Sequence, residues 1–108
     1  MTVENLDPAD VARLLAEGSV LLVDVREPNE FASERIEGAL LVPLSTFDPQ
    51  AVPDPEGRKV VFQCRSGARS TTAALRCLDA GLAYGSHMKG GILAWKTAGL
   101  PTINGEQA

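Results

Sequence analysis

The sequence predicts an α/β domain: a small, mostly parallel central sheet flanked by helices on both faces. Three observations lead there. Strand-like and helix-like stretches alternate along the 108 residues, the order expected of a parallel sheet with crossover helices. The run Val20-Leu21-Leu22-Val23-Asp24-Val25 is almost unbroken in its apolar character, as in a strand covered on both sides. Polar clusters at Asp24-Val25-Arg26-Glu27 and Cys64-Arg65-Ser66 fall at the ends of their strands, where open parallel sheets gather their sites. The length suits one hydrophobic core, so residues 1–103 read as a single domain and 104–108 as a short polar tail.

The elements follow in order. Asp7-Pro8 starts a helix, because Asp caps and Pro fits the first turn; Val11, Leu14 and Leu15 form its apolar face and Gly18 stops it. The buried strand 20–25 comes next, then a short helix over 28–34 and a strand over 39–43. Residues 46–58 hold three prolines and little periodicity and read as connection with a turn of helix. Residues 59–63 are another strand. Residues 70–80 form a helix with Thr71, Ala74, Leu75 and Leu78 on one face and Gly81 at its end. Residues 82–88 return to the sheet as a strand weakened by Gly85 and Ser86. Gly90-Gly91 is a tight turn, and the last helix, 92–98, is ended by Gly99 and Pro101.

Composition narrows the function. The chain is 44% hydrophobic with a net charge of -4, and it has no basic block to neutralise phosphates, which argues against nucleic acid as a partner. No basic segment followed by an apolar run opens the sequence, and no stretch is long enough to span a membrane. Two cysteines do not make a disulfide framework, and a reducing cytoplasm is the expected compartment.

Cys64 carries the chemistry. It ends a strand-like run and opens a short loop that enters a helix, between Arg65 and Arg69. Helix N-termini present unpaired N–H groups and partial positive charge, and nearby guanidinium groups favour an anion, so a thiol placed there titrates low. Gly67 permits the backbone that such a loop needs. The thiol reads as a nucleophile in an anion cradle.

Four motifs in the same order carry a family resemblance covering nearly the whole chain. They are Leu22-Val23-Asp24-Val25-Arg26-Glu27; Gly38-Ala39 with Pro43-Leu44; Cys64-Arg65-Ser66-Gly67-Ala68-Arg69-Ser70; and Gly90-Gly91-Ile92-Leu93-Ala94-Trp95 with Gly99-Leu100-Pro101. The chain resembles a single-domain rhodanese, a thiosulfate or persulfide sulfurtransferase. The resemblance implies a rhodanese-like fold and a double displacement. Cys64 takes the sulfane sulfur of thiosulfate or a persulfide donor and becomes a persulfide. Cyanide, a small thiol or a protein thiol then accepts that sulfur, with no metal or organic cofactor. It implies an anion-binding loop of Arg65, Ser66, Gly67, Ala68, Arg69 and Ser70, with Asp24, Arg26 and Trp95 in support. Gly85-Ser86 departs from the family's usual β-branched and aromatic pair, and two further positions depart from the pattern: Arg35 stands where His is usual, and Glu37 where Pro is usual. Both bear on rim charge and acceptor choice.

Other readings stand beside this one. The domain could serve as a persulfide relay or protein-interaction module for a dedicated sulfur-accepting protein. A cysteine phosphatase or arsenate reductase is disfavoured by spacing, because those use five residues between Cys and Arg, whereas Arg69 follows Cys64 after four. Cys77 reads as packing, Asp24 and Arg26 as a structural pair fixing the strand ends, and Trp95 as core or a wall beside the loop. His87 reads as a surface or strand-end histidine without a role as a base.

Overall fold

A computed structural model describes residues 2–105. Its elements in chain order are β1 (Glu4–Leu6), α1 (Pro8–Ala16), β2 (Val20–Asp24), α2 (Pro28–Ser33), β3 (Glu34–Arg35) and β4 (Leu40–Leu41). Two 3-10 turns follow, at Leu44–Thr46 and Pro49–Ala51. Then come β5 (Lys59–Gln63), α3 (Ala68–Asp79), β6 (Ser86–Met88), α4 (Gly91–Thr97) and β7 (Ile103–Asn104). Asp7 precedes α1 with Pro8 at its first position, though the Asp7 side chain makes no capping bond.

Five strands form one parallel sheet in the order β1-β6-β5-β2-β4. All of β2 is buried, as its unbroken apolar run requires. Alternation along the central strands sends side chains to two cores. Leu21, Val23, Val60 and Phe62 face Ala73, Ala74 and Cys77 of α3. Val20, Leu22 and Val61 face Val11 of α1 and Ile92 and Trp95 of α4. Helices therefore cover both faces. Among the described residues, no helix is long and apolar enough to cross a membrane.

Several elements differ from the sequence reading, each for a physical reason. β1 was not expected: Glu4-Asn5-Leu6 has no strand pattern of its own and forms only by pairing with β6. The β6 strand is confined to Ser86–Met88 because Gly85 lies against Leu78, where even a Cβ would crowd. The α3 helix starts at Ala68 rather than Ser70, and buries Ser70, Ala73, Ala74 and Cys77; Leu75, expected on the buried face, is 42% exposed. Ile103 and Asn104 pair antiparallel with Arg35 and Glu34, so Asn104, placed in the tail from sequence, is in a strand. Residues 106–108 of that tail lie outside the described residues. Arg35 stacks its guanidinium over the Phe31 ring, 5.1 Å from the centroid.

Candidate active site

The register of β2 and β5 brings Asp24 level with Gln63, so the segments that carry Arg26 and Cys64 leave the C-terminal edge of the sheet from adjacent strands. The chain then turns through Arg65 and Ser66 to Gly67, which precedes α3 with φ of 114°, a conformation that favours glycine. This tight entry turns backbone N–H groups onto the sulfur. Cys64 Sγ accepts from the Gly67 amide at 3.1 Å and the Ser70 amide at 3.4 Å, and Ser70 Oγ lies 3.5 Å away.

The opposing carbonyls are drawn elsewhere. The Ile92 and Leu93 amides, in the first turn of α4, donate to the Cys64 and Arg65 carbonyls at 2.8 and 3.2 Å. That contact needs Gly91, where a Cβ would collide with the Cys64 and Arg65 carbonyl groups. The glycine pair therefore packs one helix start onto the loop so that the other can face the thiol.

Cys64 is 1% exposed. Burial pushes its thiol up, but the Ser70 hydroxyl and the Ser70, Gly67 and Ser66 amides outweigh it, and the net direction is down. The sequence points to the helix start and the flanking arginines together; hydrogen bonds at the helix start lead the lowering, and Arg69 adds a charge interaction with Cys64. Arg69 is held by Glu30 in a two-pronged pair at 2.6 and 3.0 Å, which directs its charge to α2. Arg65 is exposed, and its side chain has no hydrogen-bond or ion-pair partner among the described residues. Ser66 and Ala68 are exposed.

Asp24 and Arg26, 0% and 4% exposed, form a buried pair. Arg26 Nη2 donates to Asp24 Oδ2 at 2.8 Å and to the Glu34 carbonyl at 2.7 Å, tying the strand end to β3. Beside the loop opens a recess of about 340 Å³, lined by Arg26, Glu30, Glu34, Arg65, Leu93 and Lys96 among others. Trp95 does not line it. That side chain packs in the core between the sheet and α1, its Nε1–H donating to the Pro101 carbonyl at 2.7 Å. Cys77 is fully buried, and burial pushes its thiol up to about 11.

One contact escaped the sequence reading. His87 Nδ1 lies 2.8 Å from Ser70 Oγ, and Nε2 lies 2.6 Å from Asn5 Oδ1. The three residues are far apart in sequence, and only the β1–β6 pairing and the packing of α3 bring them together. Nothing in local spacing signals it.

Comparisons with known proteins agree with this fold. A family model described as Rhodanese-like domain matches residues 7–98. The chain is 43% identical over 104 residues to the uncharacterized protein slr1261 of Synechocystis sp., covering 96% of this chain and 58% of that protein. It therefore spans little more than half the length of that relative. It is 37% identical over 102 residues to a protein named sulfurtransferase from Allochromatium vinosum, covering 94% of this chain and 95% of that protein. The fold superposes with a TM-score of 0.80 and 28% identity on a thiosulfate sulfurtransferase from Pseudomonas aeruginosa, over 96% of this chain and 20% of that one.

Proposed function

The chain belongs to the rhodanese-like domain family, and from that premise we propose that it is a sulfurtransferase working through a persulfide on Cys64. The observation that carries this reading is the sulfur itself: a buried thiol, held low, at a point where loop and helix amides converge. Such a cradle suits a single sulfur anion.

In the first step the Cys64 thiolate attacks the outer sulfur of thiosulfate or a persulfide donor. The donor S–S bond breaks, and sulfite or a thiolate leaves with the electron pair. The outer sulfur of the Cys64 persulfide carries the negative charge. In the second step cyanide, a small thiol or a protein thiol attacks that outer sulfur, and Cys64 leaves as a thiolate back into its cradle. Covalent catalysis divides one transfer into two displacements, neither of which requires a metal or organic cofactor. Arg65, exposed and without an ion-pair partner among the described residues, attracts the anionic donor. Asp24 and Arg26 hold the strand ends on which the loop rests.

A phosphatase would need the arginine after the loop turned onto a phosphate, whereas Arg69 is engaged by Glu30. A protein thiol as acceptor, the relay reading, is favoured by Leu93, 41% exposed beside Arg65 at the recess. Both cysteines are free thiols, and a reducing cytoplasm is the compartment this reading assigns.

Steady-state kinetics test the scheme. With thiosulfate and cyanide both varied, the double-reciprocal lines should be parallel, and Cys64→Ser should abolish turnover. Intersecting lines, or turnover retained by Cys64→Ser, would refute the covalent mechanism.

A further inference from the structure

The Ser70–His87–Asn5 chain of hydrogen bonds reaches from the buried thiol to the outer strand of the sheet. Parallel pairing sets Asn5 beside His87 and His87 beside Phe62. All three side chains thus share the face on which α3 lies, as does that of Cys64, two residues beyond Phe62. His87 is 6% exposed and Ser70 is 0% exposed, while Asn5 lies at the surface.

Asn5 fixes the polarity of this chain. Its Oδ1 is an acceptor only, so Nε2 of the imidazole carries the proton at that 2.6 Å contact. In the neutral ring Nδ1 is then a lone pair facing Ser70 Oγ at 2.8 Å, closer than the Gly67 carbonyl at 3.2 Å. The serine gives its proton to the histidine, and its oxygen is free to accept the Cys64 S–H. Every donor from the thiol outward points toward Asn5.

We propose that Ser70 and His87, oriented by Asn5, form an internal proton acceptor for the Cys64 thiol. The S–H bond breaks as its proton passes to Ser70 Oγ, and the proton already on Ser70 passes to His87 Nδ1. Thiol and imidazole become thiolate and imidazolium, with no proton gained or lost overall. Ser70 then donates to the thiolate, and the imidazolium donates to both Ser70 and Asn5. Burial alone pushes the His87 imidazole down. The thiolate formed in the same step supplies the counter-charge that a buried imidazolium needs. His87 and Asn5 act through Ser70 and are positioning residues.

The other ionisable groups on elements packed against β6 are Glu4 on β1, Lys59 on β5, and Arg69, Arg76, Cys77 and Asp79 on α3. Glu4 is engaged by Lys59 and Ser86, and Arg69 by Glu30. Neither ring nitrogen of His87 bonds to any of them. The proposal rests on Cys64 being the nucleophile of the transfer reaction, but its test uses no sulfur donor.

His87 is the chain's one histidine, so its imidazole signals in nitrogen NMR are unambiguous. The midpoint of His87 titration should lie higher in the native protein than in Cys64→Ala by about one pH unit, an approximately tenfold difference in the protonation ratio. Ser70→Ala should remove the same difference, and the double variant should titrate like either single one. By reciprocity, His87→Phe should raise the midpoint of Cys64 ionisation, read as thiolate absorbance against Cys64→Ala, by about as much. Identical His87 midpoints in folded native protein and folded Cys64→Ala would overturn the proposal; this comparison leaves His87 in place and does not depend on His87→Phe folding. Coupled midpoints in a protein that never takes up sulfur would leave the relay standing and sink the transfer reaction.

Discussion

Cys64 shows how hydrogen bonds from backbone amides and one hydroxyl hold a buried thiol below its ordinary range. Its amide donors exist because Gly67 turns the loop and Gly91 lets the start of α4 take up the Cys64 and Arg65 carbonyls. Gly91 has φ of 61°, so Gly91→Ala adds backbone strain to a steric collision. It should cost about 2 kcal/mol or more in thermal or denaturant unfolding and raise the Cys64 midpoint; native stability and thiol acidity would contradict that role. A second residue-scale test concerns Gln63, whose buried amide nitrogen and oxygen have no hydrogen-bond partner among the described residues. Gln63→Met removes two unsatisfied polar atoms at similar volume and should stabilise the protein by about 1 kcal/mol in urea unfolding. Lower stability would mean that the amide is satisfied in solution. The cysteine loop was legible in sequence because its residues are contiguous. His87 was not, since Asn5 is 82 residues away and Ser70 is 17.

At the scale of elements, the Glu30–Arg69 pair joins α2 to the first turn of α3 and so braces the loop from the side. Glu30 also accepts from the Glu27 amide at 3.0 Å, closing the start of α2. Hydrogen bonding from Arg69 holds the Glu30 carboxyl at about 2 rather than 4.5. A carboxyl lowered on folding contributes stability above its unfolded value, and that stability is lost as pH falls from about 4.5 toward about 2. The two side chains are 31% and 26% exposed, so solvent screening keeps the contribution small. Glu30→Gln should cost on the order of 1 kcal/mol at neutral pH and flatten the acid limb of a stability–pH curve. An unchanged acid limb would show that the pair adds nothing. Helix and strand types were legible because β2 and α3 have strong patterns. Boundaries were less so: α3 begins where Gly67 reverses the chain, not at the first hydroxyl residue. Its buried stripe follows Ser70 and the small Ala73 and Ala74, which let the helix sit close to the sheet.

For the whole molecule, the rhodanese-like architecture follows from one buried parallel strand, alternation along the chain, and four ordered motifs. What could not be read was the strand at each end of the chain, β1 and β7. Both are polar and short, and only pairing with distant residues defines them. The molecule carries a net charge of -4, so under the proposed function attraction of an anionic donor would rest on local charge at the mouth. Arg65→Ala should raise the KM for thiosulfate by roughly threefold to tenfold, less so at high salt, and affect a neutral persulfide donor less. Equal losses on both donors would argue against an anion-binding role for Arg65.

The most direct measurement is the intact mass of the reduced protein after incubation with thiosulfate, beside a Cys64→Ala control. The mass should rise by one sulfur atom, a gain absent in the control and removed by cyanide. A folded protein with a free Cys64 thiol that gains nothing from thiosulfate or from a persulfide donor, or a Cys64→Ala variant that gains the same sulfur, would rule out a persulfide on Cys64.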